Sequence, residues 1–151
     1  MKNDELRIGV VGAGFIGERH VPAWSLVKGA RVVGVAEMDE TKRNKLAKEA
    51  DAPGYATMEE MIAEAELDVL DVCLPSTMHR GAALAAFDAG LDALVEKPFA
   101  ISLDDIDAMI EASERSGRRM MVAHVCRFKP EYVYLRNLID SGKLGKPLFY
   151  T

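Results

Sequence analysis

Short unbroken apolar runs alternate along this chain with stretches in which apolar residues recur every three or four positions. The runs at Arg7–Val11, Arg31–Ala36, Asp68–Leu74, Ala93–Val95 and Met120–Val125 are continuous, the pattern of strands covered on both faces. The stretches between them predict helices. The first spans Ile16 to Val27, stops at Lys28-Gly29 and is expected to kink at Pro22, which cannot donate a helical hydrogen bond. A polar helix over Asp39–Ala50 offers only Leu46, Ala47 and Ala50 as an inner face, and Asp51-Ala52-Pro53-Gly54 breaks it. Thr57 and Glu60 have capping-box spacing ahead of Met58, Met61, Ile62 and Ala65. Further helices run from His79 to Ala89, from Ser102 and Asp105 through Met109 and Ile110 to Gly117, and from Pro130 through Leu138 and Ile139 to Gly142.

Regular alternation of strand and helix, without repeats or low-complexity tracts, predicts an α/β fold with a parallel sheet. Right-handed crossovers make the sheet doubly wound in the order 3-2-1-4-5-6, with Tyr55-Ala56 as the short third strand.

Composition narrows the class. The 151 residues suffice for one domain with a real core, and 49% apolar with 28% charged residues is an ordinary globular balance. No window approaches the ~18 apolar residues of a membrane span, and Met1–Leu6 lacks a signal-peptide core, so a cytoplasmic location is expected. A net charge of −5 argues against nucleic acid as partner, and Lys42-Arg43 and Arg118-Arg119 read as solvated charges. Cys73 and Cys126 lack metal-ligand spacing. They read as buried small hydrophobes in a reducing compartment, with no metal expected.

The chemistry is concentrated where strands end. After the first run, Gly12-Ala13-Gly14-Phe15-Ile16-Gly17 spells G-x-G-x-x-G at a strand-to-helix junction. Gly12 permits a tight turn, Gly14 admits a pyrophosphate close to the backbone, and Gly17 lets the helix pack on its strand. The phosphates would rest on free N–H groups at the positive end of the helix dipole. Glu37, 20 residues beyond Gly17 and at the end of the second run, can accept hydrogen bonds from an adenosine ribose and would repel a 2′-phosphate. NAD is therefore the expected cofactor, with NADP less favoured. His20 follows the glycines closely; it reads as a structural hydrogen-bonding residue, and the other reading is a histidine facing the cofactor groove. Lys97, after an apolar strand, is expected to be partly desolvated, which would suit its ammonium to proton transfer; the other reading is a surface lysine paired with Glu96.

Taken together, G-x-G-x-x-G followed by x-x-His20, Glu37, Pro75-x-x-x-His79, Glu96-Lys97-Pro98 and Arg127-Phe128-x-Pro130 resemble the N-terminal, Rossmann-fold domain of the Gfo/Idh/MocA family, the glucose-fructose oxidoreductases and inositol dehydrogenases. The resemblance covers almost the whole chain, and Glu-Lys-Pro is its most specific piece. It implies an NAD(P)-dependent oxidoreductase that moves a hydride between the cofactor and a sugar, inositol or related polyol. On that basis Gly12, Gly14, Phe15, Ile16 and Gly17 hold the pyrophosphate and Glu37 the adenosine ribose. Leu74, Pro75, Ser76 and His79 line the cofactor cleft, Glu96 approaches the nicotinamide, and Arg127 belongs to the same cofactor set. Lys97 is the catalytic residue, and the Lys97-Pro98 bond is expected to be cis.

Two departures stand out. Leu74-Pro75-Ser76 replaces a turn that commonly reads Thr-Pro-Asn in the family, which removes two polar contacts. Family members also continue into a mainly antiparallel α+β substrate domain that carries an aspartate and a histidine. The domain reading is therefore residues 1–145 as the dinucleotide-binding domain and 146–151 as the start of a second, whose first strand is expected to begin at Leu148-Phe149-Tyr150-Thr151. The expectation is a cofactor-binding half of a longer enzyme, inactive alone and able to pair with a second copy. A standalone NAD(H)-sensing module is the alternative, and an NADP enzyme using Lys42 or Arg43 is a third reading.

Overall fold

A computed structural model describes residues 5–143 together with 145, 146 and 148. Among these, the strands β1 (Leu6–Val11), β2 (Ala30–Ala36), β3 (Gly54–Tyr55), β4 (Val69–Val72), β5 (Asp92–Val95) and β6 (Met120–Val122) form one sheet in the order β3-β2-β1-β4-β5-β6. Every neighbouring pair is parallel, as a doubly wound sheet requires. The helices are α1 (Gly17–Trp24), α2 (Glu40–Ala50), α3 (Met58–Glu64), α4 (His79–Asp88), α5 (Leu103–Ser116) and α6 (Pro130–Asp140).

Strand residues feed two cores, one on each face of the sheet. Ile8, Val10, Val32 and Val35 face Val21 of α1 and Leu46 of α2, while Val11, Leu70, Val72 and Val95 face Met61, Phe87 and Met109 on α3, α4 and α5. Leu46 and Leu70 are fully buried, and each such side chain contributes about 2 kcal/mol of transfer free energy. The helix starts follow the expected chemistry. Thr57 and Glu60 complete the capping box of α3, and Ser102 accepts the Asp105 N–H at the start of α5.

Several boundaries differ from expectation. The first helix ends at Trp24 rather than Val27, two residues beyond Pro22; from there Leu26 and Val27 donate to the carbonyls of Ala23 and Trp24 in tight turns. The last strand stops at Val122, and Val125–Phe128 is a 3₁₀ turn, which leaves Cys126 exposed instead of buried. Cys73 is buried as expected. Helix α6 buries no residue, so Tyr132, Val133 and Tyr134 face outward. Of the strand expected at the start of a second domain, Phe149–Thr151 lie outside the described residues.

The sheet has two chemically different rims. Where β1, β4, β5 and β6 begin, Arg7 pairs with Asp68 and Glu66, and Arg119 pairs with Asp92. Where the strands end, the glycine turn, Glu37, the Pro75–His79 turn and Glu96-Lys97 gather on one side of the molecule. On the face that α1 covers only in part, Leu94, Met121 and Ala123 meet Trp24, Val27, Val125 and Phe128 around an apolar groove of about 260 Å³.

Candidate cofactor and catalytic site

The glycine turn is built by contact. Gly12 has φ +99°, a left-handed conformation, and a Cβ there would lie 2.6 Å from the Cys73 carbonyl oxygen. A Cβ on Gly17 would meet the carbonyl oxygen of Gly12 itself. Gly14 is different: a Cβ there would point into open space. The N–H groups of Gly14, Phe15, Ile16 and Gly17 take no hydrogen-bond partner among the described residues. Four unpaired donors at a helix start, beside space that a side chain would fill, fit the diphosphate of a dinucleotide. Phe15 is exposed, with the Arg19 guanidinium 4.1 Å above its ring, so one cation also stands at this turn.

Glu37 ties the second strand to that turn. Its Oε2 accepts the Ala13 N–H at 2.9 Å and its Oε1 the Asp39 N–H at 3.0 Å. Lone pairs on both oxygens remain for ribose hydroxyls. Arg43 donates to the Glu37 carbonyl at 2.9 Å and Lys42 pairs loosely with Asp39, so both cations of the NADP reading are engaged locally.

Beyond β4, Leu74 and Ser76 are half-buried and Pro75 is exposed along the turn. His79 was expected to line the cleft, but its side chain is buried. Its ring nitrogens lie 2.8 Å from the Leu74 carbonyl oxygen and 3.0 Å from that of Pro98, so the imidazole braces two loops rather than facing a ligand. The Lys97-Pro98 bond is cis, as the family resemblance implied. The side chain of Lys97 is 55% exposed, with Nζ 4.0 Å from Glu96 Oε2. The desolvation expected for its ammonium is therefore not supplied by these residues. Arg127 is exposed on the 3₁₀ turn, with no side-chain bond to the glycine turn or to Glu37.

A buried charge cluster lies beneath Lys97. His20, on α1, points its Nδ1 at the Asp71 carboxylate (2.9 Å) and its Nε2 at Glu96 Oε1 (3.2 Å). Asp71 is wholly buried in β4 and also accepts from the indole N–H of Trp24 at 2.7 Å and from the Cys73 thiol. Glu96, also buried, uses its other oxygen to accept the Lys97 N–H at 2.9 Å. The hydrogen bond to Asp71 raises the His20 pKa against the opposing effect of burial, and Glu96 adds to the rise. Burial pushes the Cys73 thiol far up, and the neighbouring carboxylates push it further. His20, Asp71 and Cys73 are close enough to share one metal ion, and in the structure they are joined by hydrogen bonds through Asp71. The structural hydrogen bond expected of His20 is present, and no motif in the sequence marks Asp71 or Trp24 as members of the cluster. The available signal was an acid inside an apolar run, which must be partnered when buried.

Residues 6–124 match the family model GFO_IDH_MocA, the oxidoreductase family with an NAD-binding Rossmann fold. Inositol 2-dehydrogenase 1 of Saccharopolyspora erythraea is 34% identical over 95% of this chain and 44% of its own length. The 4-carboxy-2-hydroxymuconate-6-semialdehyde dehydrogenase of a Sphingobium species is 31% identical over 93% of this chain and 45% of its own. Among solved structures, an oxidoreductase from Agrobacterium radiobacter in complex with NAD+, L-tartaric acid and magnesium superposes with a TM-score of 0.90 at 26% identity, over 95% of this chain and 42% of that one. The chain thus spans less than half the length of the relatives it matches. No helix among the described residues is long and apolar enough to cross a membrane. The glycine turn with its unpaired N–H groups, the acid bridging it to β2, the cis Lys97-Pro98 bond and the family match over most of the sequence lead to one assignment: this chain belongs to the Gfo/Idh/MocA oxidoreductases and corresponds to their NAD-binding Rossmann domain.

Proposed function

We propose that the chain is the cofactor-holding part of an NAD-dependent dehydrogenase that acts on a hydroxyl-bearing carbon of a sugar, inositol or related polyol. The observation that carries this reading is the set of unpaired N–H groups from Gly14 to Gly17 beside open space, with the Glu37 carboxylate closing the turn. Those donors bind a diphosphate, and Glu37 orients the adenosine ribose while its charge opposes a 2′-phosphate. NAD, when bound, supplies the hydride acceptor. Lys97, reacting as the free amine, would take the proton of the substrate hydroxyl at Nζ and so become the ammonium, and Glu96 holds the Lys97 main chain at the end of β5. The inositol dehydrogenase relatives support the polyol class.

Because the Lys97 side chain is 55% exposed, excluding water from Nζ requires atoms beyond the described residues. The chain alone is therefore expected to bind NAD without oxidising a polyol. The same exposure favours the second reading, a non-catalytic NAD(H)-binding module. Titration with NAD and NADP tests the cofactor reading, and NAD should bind about tenfold more tightly or better. Assay of the complete coding sequence against inositols and sugars separates the two readings: substrate-dependent NADH formation supports the dehydrogenase, and its absence across the panel supports the module.

A further inference from the structure

The charge cluster under Lys97 has an arrangement that packing alone does not demand. Each ring nitrogen of His20 faces a carboxylate oxygen, Asp71 on one side and Glu96 on the other. A neutral imidazole has one N–H and can serve one of the two, whereas an imidazolium serves both. The remaining partners are donors too: Trp24 Nε1–H and the Cys73 thiol toward Asp71, and the Lys97 N–H toward Glu96. Both carboxylates are thus surrounded as anions would be. From the other side His20 meets the apolar groove of Leu94, Ala123, Val125 and Phe128, which offers no charge. The groups that bear on its proton are Asp71 in β4, Cys73 just beyond that strand, Glu96 just after β5 and, through Glu96, the Lys97 ammonium.

We propose that His20, held as an imidazolium between Asp71 and Glu96, is the positioning residue for Lys97 and for the nicotinamide end of the cofactor cleft. It fixes the Glu96 carboxylate, and that carboxylate fixes the Lys97 main chain where the strand ends. When His20 loses its proton, one buried carboxylate loses its donor. Glu96 is the nearer to solvent and to Lys97, so it is the one that turns away. Engagement of the nicotinamide then weakens, while the glycine turn and Glu37, which hold the other end, are untouched. This inference rests on the NAD reading above.

The test uses NADH and ADP-ribose, which share the adenosine and diphosphate but differ in the nicotinamide. Affinities for the 151-residue chain are measured from about pH 6 to about pH 9, with ring ¹⁵N shifts of His20 recorded over the same range. The expected result is doubly protonated His20 at neutral pH and a flat ADP-ribose affinity. NADH affinity should fall about tenfold as His20 titrates, the worth of one hydrogen bond to a charged group. His20→Gln should bind NADH at the weak, high-pH level throughout and ADP-ribose normally. A singly protonated His20 at pH 7, or NADH and ADP-ribose affinities that change in parallel, overturns the inference and leaves the NAD reading intact. Failure of both ligands to bind overturns both. The ¹⁵N titration of the unsubstituted chain decides the protonation question even should His20→Gln fold poorly.

Discussion

Gly17 faces the carbonyl oxygen of Gly12 so closely that a Cβ at position 17 would lie 2.0 Å from it. Backbone meets backbone there, so no rotamer change relieves the overlap, and the turn must open or the helix must lift. Gly17→Ala should therefore cost about 3 kcal/mol of folding stability. Gly14→Ala should cost less than about 1 kcal/mol, because its methyl enters open space, yet it should weaken NAD binding about tenfold or more. Chemical denaturation and NAD titration of the two variants check this reversal of effects.

Glu37 is expected to do two jobs. Glu37→Ala removes the acceptor of the Ala13 and Asp39 N–H groups, a loss of about 1–2 kcal/mol in stability. It also removes the charge that opposes a 2′-phosphate, so the ratio of NADP to NAD affinity should rise. A variant whose cofactor preference is unchanged would show that discrimination lies elsewhere.

The His20 cluster makes stability depend on pH. Its folded-state pKa is raised, so the stabilisation is present in full below the ordinary imidazole value of about 6.5 and is lost as pH rises through the raised value. Melting temperatures of the unsubstituted chain and His20→Gln should differ most below about pH 6.5 and converge in alkali. Taking the difference between the two proteins cancels titrations that they share.

The two thiols should separate cleanly. Cys126 is exposed, whereas Cys73 is buried with its thiol pKa pushed up beside Asp71 and Glu96. Iodoacetamide should label Cys126 in the native chain and both cysteines only after denaturation, as mass spectrometry of the peptides would show.

Much of the cofactor end was legible because its chemistry is local. Gly12, Gly14 and Gly17 lie in one turn, and the distance to Glu37 is set by one strand-helix-strand unit of nearly fixed length. The charge cluster was not legible, because His20, Asp71 and Glu96 come from three elements and meet only across the sheet. The exposure of Cys126 has a related cause: its apolar neighbours suggest a buried strand end, but among the described residues β6 has only β5 beside it and stops after three residues. Lys97 occupies the strand end that its position implied, while its solvent exposure depends on what packs above the rim and leaves no mark in the local pattern.

The rim where the strands begin is fastened by Arg7 with Asp68 and Glu66, and by Arg119 with Asp92, well away from the glycine turn and Lys97. That separation gives the molecule a natural back. A fluorophore, tether or fused partner attached there would leave the nucleotide crevice facing outward, so the domain could be mounted on a surface as a sensor without obstructing what it is built to grasp.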